Sequence, residues 1–582
     1  MRSSRLLLSL AAVAVAFAAA DTYVVVLALP DMMGSVGVPV DQLQRAAPII
    51  SGFLLGYVAM LPLIGRVADL RGRVPVLVAA LALFALGSLV TALAYDMPSM
   101  VSGRFLQGVG GGGLVPATLA LVADLYPAER RGVPLGVVSA VQELGSVLGP
   151  LFGALVLAVA DWRAIFAINL AVGLVLAAVI RSLTEVEVRA QRASRPRAFD
   201  WIGLLLAVVA LAAGALVFVQ PSQLMRDLTW GQLFIPVTGS GRWLTPLGLT
   251  AIGALVLLGV RCATARRPLL DLRGWLRTLR EADLLGAAFL ALALAGVILA
   301  FATADPKVQV FSDQGAWYLL GSALATAAFV VHLRRAPAPL VPAGALRRTP
   351  AWGAMLVSFF VGAALIAALI DIPLFARTTV YSDSQLMAAL VLVRFLVALP
   401  VGAVVGGYLT RTTSAGLVTA VGMACAAGGF VWMATWDLGS LDHAAATLPL
   451  VLGGFGFGLA LAPVNAAVLA STDDDVHGLA SAFVVVARMV GMLVGISALT
   501  TIGLRRYYAE QADLPLAREV CDGRSRCSEF TDLLKTAGIA QEHTVFTGAA
   551  VCAVIAGVAA LVLFRHAATR AISTGDLLRS AG

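Results

Sequence analysis

Four charged residues lie deep inside long apolar stretches of this sequence: Asp21, Glu143, Arg394 and Arg488. An ionisable side chain at membrane depth is costly, so each of them is a candidate for function. At about 1.5 Å of rise per helical residue, each lies roughly 14 Å from the nearer end of its apolar stretch. They would therefore share one depth, near the middle of a bilayer core about 30 Å thick. Two acids and two bases at one depth can neutralise one another if their faces meet.

Such a set of charges has two interpretations. It can be a permanent ion network that only fixes how helices pack. Alternatively, Asp21 or Glu143 exchanges a proton, because a carboxylate that loses its arginine partner in apolar surroundings is no longer stable as an anion. Transporters use this exchange to couple a proton gradient to a change of access. A further acid, Asp371, lies near the end of its apolar stretch and can simply face water.

The amino-acid composition is typical of a membrane protein. Of 582 residues, 60% are hydrophobic and only 13% are charged, and the mean hydropathy is +0.92. A soluble protein cannot hide so much apolar surface from water, whereas lipid can solvate it. The formal net charge is +8, but the basic residues form short clusters between apolar runs. That placement is typical of cytoplasmic loops and argues against a nucleic-acid-binding face.

Membrane-spanning helices need about 20 mostly apolar residues each. The sequence predicts sixteen of them, with both termini in the cytoplasm, because most of the 41 lysines and arginines then lie on that side. The first one also resembles a secretory signal, with Arg2 and Arg5 before an apolar run and three alanines before Asp21. Since the apolar run resumes at once, we expect a retained span. The predicted spans are 6–30, 47–64, 75–95, 98–123, 134–159, 164–180, 201–219, 244–260, 284–302, 317–333, 352–372, 385–408, 415–435, 446–470, 480–503 and 546–564.

Two similar apolar hairpins occupy the middle of the chain. An aspartate followed three residues later by glycine opens each of them, at Asp200 and at Asp283, and each ends in a basic exit. A self-similar unit predicts a structural repeat, although apolar hairpins can also resemble each other by composition alone. We predict a six-span bundle over residues 1–182, a linker with two transmembrane hairpins over 183–350, and a second six-span bundle over 351–582.

Three short motifs accompany the charges. A turn after the second span contains an acid among arginines, which can pair across a gate that opens and closes: Gly65, Asp69, Gly72 and Arg73. In the fourth span, Arg104 precedes a run of glycines, and no Lys-Ser/Thr follows, so we reject a phosphate-binding loop. In the fifth span, glycines spaced four apart permit close helix approach and a proline bends the helix: Gly145, Gly149, Pro150 and Gly153.

These motifs resemble the signatures of the major facilitator superfamily. The segments 21–23 and 161–163 resemble its drug:proton antiporter family, which normally has fourteen spans, and segments 142–150, 399–403 and 484–493 are most similar to its mycobacterial triacylglyceride-exporting branch. The resemblance departs at Leu70 and Val74, where the family often has basic residues, and fails over 262–340. Asp21, Glu143 and Arg488 match the family motif, which favours a coupling role, whereas that branch need not have a base at Arg394.

The resemblance implies an all-α fold in which two six-helix bundles with pseudo-twofold symmetry flank four linker spans. It implies proton-coupled export of a lipid, such as triacylglyceride, across a bacterial inner membrane by alternating access. The implied partner is a periplasmic lipid-carrying lipoprotein, and we expect a monomer without cofactor or metal. The alternatives are multidrug efflux and, from another class, a non-transporting membrane scaffold or lipid-binding receptor. No His-Glu-x-x-His or His-x-x-x-x-Asp pattern occurs, so no enzyme is expected.

Residues 504–545 form the one long polar segment, predicted to lie outside the membrane. Its ends, 505–510 and 530–535, are expected to extend the last two spans as helices, either to hand a lipid to a carrier or only as a solvated connector. Cys521 and Cys527 lie in this segment, in a compartment where disulfides form and persist. Both a bridge and two free thiols are open at this point.

Overall fold

The structure is a computed structural model that describes residues 2–38, 43–191, 200–239, 241–265, 268–302, 314–381, 384–521, 527–567 and 569. Within these ranges the chain is helical without β-strands, and sixteen helices are long and apolar enough to cross a membrane. The predicted all-α fold and the count of sixteen spans are therefore confirmed. In chain order the spans are α1 (Arg2–Ser35), α2 (Leu43–Arg71), α3 (Arg73–Ala92), α4 (Met97–Leu125), α5 (Gly132–Val159), α6 (Arg163–Gln191), α7 (Trp201–Val219), α8 (Pro246–Thr264), α9 (Leu284–Ala302), α10 (Gly315–Arg335), α11 (Thr349–Thr378), α12 (Gln385–Leu409), α13 (Ala415–Met433), α14 (Thr447–Ala470), α15 (His477–Ala512) and α16 (Ser528–Leu563).

Two bundles of six helices repeat one packing order. In the first, α1 packs on α5, α2 packs on α4, and α3 packs on both α4 and α6. In the second, α11 packs on α15, α12 packs on α14, and α13 packs on both α14 and α16. The bundles meet where α2 packs on α15 and where α5 packs on α12. We call the end that carries the start of α1, the end of α16 and the turn after α2 the inner end, and the opposite end the outer end.

Glycines allow α4 to pack tightly between its neighbours. A Cβ atom at Gly108 would lie 2.1 Å from the carbonyl oxygen of Phe53 in α2. A Cβ atom at Gly110 would lie 2.3 Å from the backbone nitrogen of Phe84 in α3. No side chain fits at either position, so the glycine run is a packing feature of a membrane helix.

The first linker hairpin, α7 and α8, is closed at its inner end by one aspartate. Asp200 accepts hydrogen bonds from the Gly203 N–H at 3.0 Å and the Leu269 N–H at 3.1 Å, and it pairs with Arg261 at 3.1 Å. The hydrogen bonds from Gly203 and from Arg261 lower the pKa of Asp200. This carboxylate therefore caps α7 and holds the chain that returns from α8.

The second linker hairpin, α9 and α10, has the same arrangement. Asp283 accepts hydrogen bonds from the Gly286 N–H at 2.9 Å and the Leu340 N–H at 3.0 Å, and its Oδ1 atom lies 2.7 Å from His332 Nε2. Equivalent positions in the two hairpins thus make equivalent contacts, which favours a repeat over a likeness of composition. This second hairpin also touches both bundles, because α9 packs on α2 and on α15.

The polar segment 504–545 is mostly helical where the structure describes it. α15 continues to Ala512 and α16 begins at Ser528, as the sequence predicted for both ends of the segment. A disulfide joins Cys521 to Cys527, whose Cα atoms are 5.5 Å apart. Both helices therefore extend into the polar segment at the outer end, and the disulfide lies between them in the chain.

The sixteen-span arrangement predicts which loop positions are accessible from each side. In a variant without the free cysteines Cys262, Cys425 and Cys552, we expect a membrane-impermeant maleimide to label Gln314→Cys on intact cells. Arg347→Cys should be labelled only after permeabilisation, because α10 crosses the membrane between Gln314 and Arg347 and places Arg347 at the inner end. If Gln314→Cys also needed permeabilisation, the second hairpin would not cross the membrane.

Candidate functional site: buried charges and the inner gate

Asp21 is the centre of a polar cluster inside the first bundle. Its Oδ2 atom lies 2.7 Å from Nη1 of Arg104, and its Oδ1 atom accepts hydrogen bonds from Gln107 Nε2 at 3.0 Å and from Asn169. Gln107 Nε2 also donates to Ser88 Oγ at 3.0 Å. Helices α1, α3, α4 and α6 all contribute to this cluster. A buried charge is retained only with such partners, and here α4 and α6 supply them to a carboxylate on α1.

The environment of Arg104 excludes water. Arg104 is 1% exposed and Asp21 is 2% exposed. The Arg104 guanidinium lies 4.3 Å from the ring centroid of Phe53 and 5.8 Å from that of Phe166. Aromatic faces attract a cation, so both rings stabilise the arginine in an otherwise apolar setting. The sequence offered bases of the second bundle as partners for Asp21, whereas the structure pairs it with Arg104 of the fourth-span signature.

The other three predicted charges lie apart from this cluster. Glu143 of α5 and Arg488 of α15 interact electrostatically across the boundary between the bundles, and both act on the Tyr57 hydroxyl of α2. No ion pair joins them among the described contacts. Arg394 of α12 instead donates to Thr447 Oγ1 of α14 at 3.2 Å. The expected four-charge set is therefore divided among three places, and Tyr57 was not predicted.

The fifth-span signature positions α5 beside Asp21. A Cβ atom at Gly145 would lie 2.1 Å from the carbonyl oxygen of Ala16, and one at Gly149 would lie 2.4 Å from that of Ala20. Only glycine permits this contact between the backbones of α5 and α1. The signature therefore holds the helix that carries Glu143 against the turn of α1 that carries Asp21.

The signature continues toward the outer end of α5. Gly153 is buried in this helix, and the side chain of Pro150 lies outside the described part of the chain. A matching close contact occurs in the second bundle, where a Cβ atom at Gly362 of α11 would lie 2.1 Å from the carbonyl oxygen of Arg488. Close glycine packing thus fixes the backbone at the positions that carry charges in both bundles.

Asp69 connects the two bundles at the inner end. Its carboxylate accepts hydrogen bonds from the backbone N–H groups of Gly478 at 2.8 Å and Leu479 at 2.9 Å, at the start of α15. The positive end of a helix dipole favours a carboxylate there. Arg73 Nη2 lies 3.1 Å from Asp69 Oδ1, and Arg73 Nε lies 3.2 Å from Asp124 Oδ2 at the end of α4. The turn after α2 therefore ties α4 and α15 together.

Glycine contacts close the same end on both sides. A Cβ atom at Gly65 of α2 would lie 2.6 Å from the carbonyl oxygen of Gly478, and one at Gly136 of α5 would lie 2.5 Å from that of Ala403 in α12. Gly72 has a φ of 95°, a left-handed conformation that favours glycine, in the turn between α2 and α3. The structure is therefore in a state whose inner end is closed.

A second pair of acids was not predicted from the sequence. Asp371 of α11 and Glu542 of α16 are 3% and 1% exposed, and their carboxyl groups interact electrostatically. From the sequence, Asp371 was expected to face water. That expectation is wrong, because Asp371 is buried and α16 packs along α11 at this level.

An apolar cavity of about 280 Å³ reaches Asp21 from the side of the first bundle. Helices α1, α5 and α6 line it, with Phe17, Leu148 and Phe152 among its walls and Asn169 beside Asp21. Leu148 is 53% exposed, so the cavity communicates with the surface of the bundle. This shape suits a ligand with an apolar chain and a polar end.

The Asp21–Arg104 pair makes a prediction about stability. Arg104→Ala would leave Asp21 as an uncompensated buried charge, so we expect a loss of about 3–5 kcal/mol in the free energy of unfolding. Thermal unfolding of the purified protein in detergent would measure it. Adding Asp21→Asn to Arg104→Ala should restore part of the loss, because the uncompensated charge is then absent.

The exposed pair of Arg506 and Glu510, whose side chains are 56% and 37% exposed, is the matched control. Arg506→Ala should cost at most about 1 kcal/mol, because surface ion pairs contribute little. Equal losses from Arg104→Ala and Arg506→Ala would contradict a special role for the buried pair.

The glycine contact at the inner end makes a prediction about conformation. Gly65→Val should hold the inner end open, because its side chain would overlap the backbone of α15 at Gly478. Spin labels at Arg130→Cys and Asp473→Cys should then lie further apart than in the parent protein. Gly253→Val is the control, since a Cβ atom there meets nothing within 4 Å. An unchanged label distance in Gly65→Val would show that this contact does not set the gate.

Comparison with known proteins supports the same architecture. Residues 11–332 match the family described as Major Facilitator Superfamily. A triacylglyceride transporter of Mycolicibacterium hassiacum is 36% identical over 517 residues, which cover 87% of this chain and 81% of that protein. A triacylglyceride transporter of Mycobacterium tuberculosis is 34% identical, with 88% and 85% covered. One of Mycolicibacterium smegmatis is 33% identical, with 96% and 87% covered.

Solved structures share the fold. The human organic anion transporter MFSD10 has a TM-score of 0.51 at 12% identity, with 96% of this chain and 99% of that chain covered. A double tryptophan mutant of XylE also has a TM-score of 0.51, at 13% identity, with 99% and 98% covered. At these identities the likeness concerns the fold alone. Sequence and structure thus agree that the chain belongs to the major facilitator superfamily, in the branch of the mycobacterial triacylglyceride transporters, and is a multi-pass membrane transporter rather than an enzyme.

Proposed function

We propose that this transporter exports triacylglyceride-like or other amphipathic lipids across a bacterial inner membrane, driven by protons. The observation that carries the proposal is the apolar cavity that ends at the buried Asp21 cluster. Apolar walls suit acyl chains, and the Asn169 amide at the deep end can donate a hydrogen bond to an ester or headgroup oxygen. Relatives named as triacylglyceride transporters, at 33% and 36% identity, support a lipid over a hydrophilic solute.

In the proposed orientation the inner end and both termini face the cytoplasm. The inner-closed state would then present the space between the bundles to the opposite side. Loading from the cytoplasmic side requires Asp69 to release the N-terminus of α15 and the Gly65–Gly478 contact to separate. The first contact is a pair of hydrogen bonds, and the second is a van der Waals contact between backbones. Both join the two bundles, so a rocking motion of one bundle against the other can break and remake them.

We assign the exchanged proton to Glu143. Asp21 and Arg104 belong to one bundle, so a motion of one bundle against the other leaves their pairing intact. Glu143 and Arg488 belong to different bundles, so the same motion changes the distance between them. Glu143 gives up its proton while Arg488 is near, and binds one when Arg488 moves away and leaves the carboxylate in apolar surroundings. Asp21 then holds Asn169 in place at the polar end of the lipid site.

The proposed transfer of a lipid to its carrier takes place at the outer ends of α15 and α16. Both helices continue into the polar segment, and the Cys521–Cys527 bridge lies between them in the chain. Such a pair of helices can guide a lipid toward a periplasmic lipid-carrying lipoprotein, the partner implied by the family resemblance.

Lipid mass spectrometry of a deletion strain tests the function. The deletion should accumulate a lipid class inside the cell, and the wild-type gene should reverse this. Asp21→Asn, Glu143→Gln and Arg488→Ala should each fail to reverse it at near-normal abundance in the membrane, because each removes one charge of the proposed mechanism. Asp442→Asn, an exposed acid outside the site, is the control and should behave as wild type.

Three other outcomes would change the proposed function. An unchanged lipid profile with increased sensitivity to several drugs would replace lipid export by multidrug efflux. Full reversal by all three charge variants would reduce the charges to a packing role. In proteoliposomes, wild-type lipid transfer should respond to a pH gradient and Glu143→Gln transfer should not. A response retained in Glu143→Gln but lost in Asp21→Asn would move the proton to Asp21.

A further inference from the structure

A short helix at the inner end is not used by the proposed transport site. It comprises Leu272–Glu281, lies between α8 and α9, and is called the lateral helix below. Arg273, Arg277 and Arg280 are exposed on it. At about 100° per residue, the three arginines share a sector of roughly 60° around the helix axis. None of them forms an ion pair among the described contacts.

The remaining faces of the lateral helix have distinct environments. Trp275 and Leu279 pack against the apolar core of the bundles, and Thr278 is buried. Leu276 is apolar and 48% exposed. Around the axis, the core-facing side is followed by Leu276 and then by the arginines. A helix that lies in the plane of a membrane surface has this order, with apolar side chains toward the acyl region and basic side chains toward the headgroups.

The lateral helix is attached to the inner end of α2. Arg71 Nη2 lies 2.6 Å from Asp271 Oδ2, its guanidinium lies 4.5 Å from the ring centroid of Trp275, and its Nη1 lies 3.5 Å from Thr278 Oγ1. Asp271 also caps the lateral helix by accepting a hydrogen bond from the Gly274 N–H at 3.0 Å. The hydrogen bonds from Arg71 and from Gly274 lower the pKa of Asp271, so it stays ionised at neutral pH.

We propose that the lateral helix binds the headgroups of anionic phospholipids through Arg273, Arg277 and Arg280 and thereby holds the inner gate closed. Unpaired arginines at headgroup level attract phosphate groups that carry a net negative charge. Arg71 transmits the effect, because it precedes the turn between α2 and α3 and lies two residues after Asp69. A headgroup that fixes the lateral helix therefore also fixes the end of α2 that contacts α15. The inference does not depend on which lipid is transported or on proton coupling.

Native mass spectrometry of the purified protein tests the binding. Phosphatidylglycerol should be retained in preference to phosphatidylethanolamine. The triple variant Arg273→Gln, Arg277→Gln, Arg280→Gln should weaken phosphatidylglycerol binding by about fivefold per arginine, the equivalent of about 1 kcal/mol each. Replacing the same three residues by lysine should keep most of the binding, because the charge remains.

Arg334 and Arg335 give a matched control for binding. They are also exposed basic residues at the inner end, but they terminate α10 instead of lying on the lateral helix. Arg334→Gln with Arg335→Gln should leave the preference for phosphatidylglycerol unchanged. An equal loss in this pair, or no loss in the triple variant, would overturn the proposed site.

The effect on the gate is tested without measuring transport. In nanodiscs of phosphatidylethanolamine, adding phosphatidylglycerol should increase the population with a short distance between labels at Arg130→Cys and Asp473→Cys. The triple glutamine variant should lose this response. Arg71→Gln should still retain phosphatidylglycerol but should also lose the response, because the connection to α2 is broken. If phosphatidylglycerol left the label distance unchanged in the wild type, the link to the gate would be overturned, whatever the transport assay shows.

Discussion

The first bundle depends on one buried ion pair. Taking Asp21 and Arg104 out of water costs several kcal/mol for each charge, and their attraction offsets this only if the remaining polar atoms also find partners. Gln107 and Asn169 supply those partners from α4 and α6. Separating α1, α4 and α6 would leave a buried charge without hydrogen bonds. This constraint makes the bundle a rigid unit, which is what a transporter needs if its two bundles are to move as bodies.

Contacts between the bundles are of a different kind. Asp69 binds the backbone N–H groups that begin α15, and glycines such as Gly65 and Gly136 let backbones touch. Each of these contacts can be exchanged for water at an inner end that opens, so the cost of breaking them is small. The first bundle is held together by a buried ion pair, whereas the two bundles are joined by contacts that water can replace. Each bundle can therefore stay intact while the interface between the bundles opens. Glu143 and Arg488 lie on this division, which is why their separation can report the state of the transporter.

Much of the fold follows from the sequence because apolar length and glycine spacing are local properties. They predict the sixteen spans. The turn around Asp69 and the repeat marked by Asp200 and Asp283 were predicted from short motifs, which are local as well. Ion-pair partners are harder, because they depend on how each helix is rotated about its axis. For this reason the sequence did not show that Asp21 pairs with Arg104 and not with a base of the second bundle. Asp371 was misplaced for a related reason: it lies near the end of its apolar stretch, and only tertiary packing against α16 buries it. The lateral helix was not predicted because its ten residues are too few to form a membrane span.

The capping arrangement shared by the two hairpins bears on how such transporters change in size during evolution. One aspartate binds both the start of a hairpin and the chain that leaves it, so entry and exit lie next to each other. A hairpin built this way can be duplicated or deleted as a single genetic unit without pulling the flanking helices apart. Because each copy crosses the membrane twice, the second bundle keeps its orientation after the event. Gene duplication within the linker can therefore enlarge the part of the protein that meets the bilayer while the direction of transport is inherited unchanged.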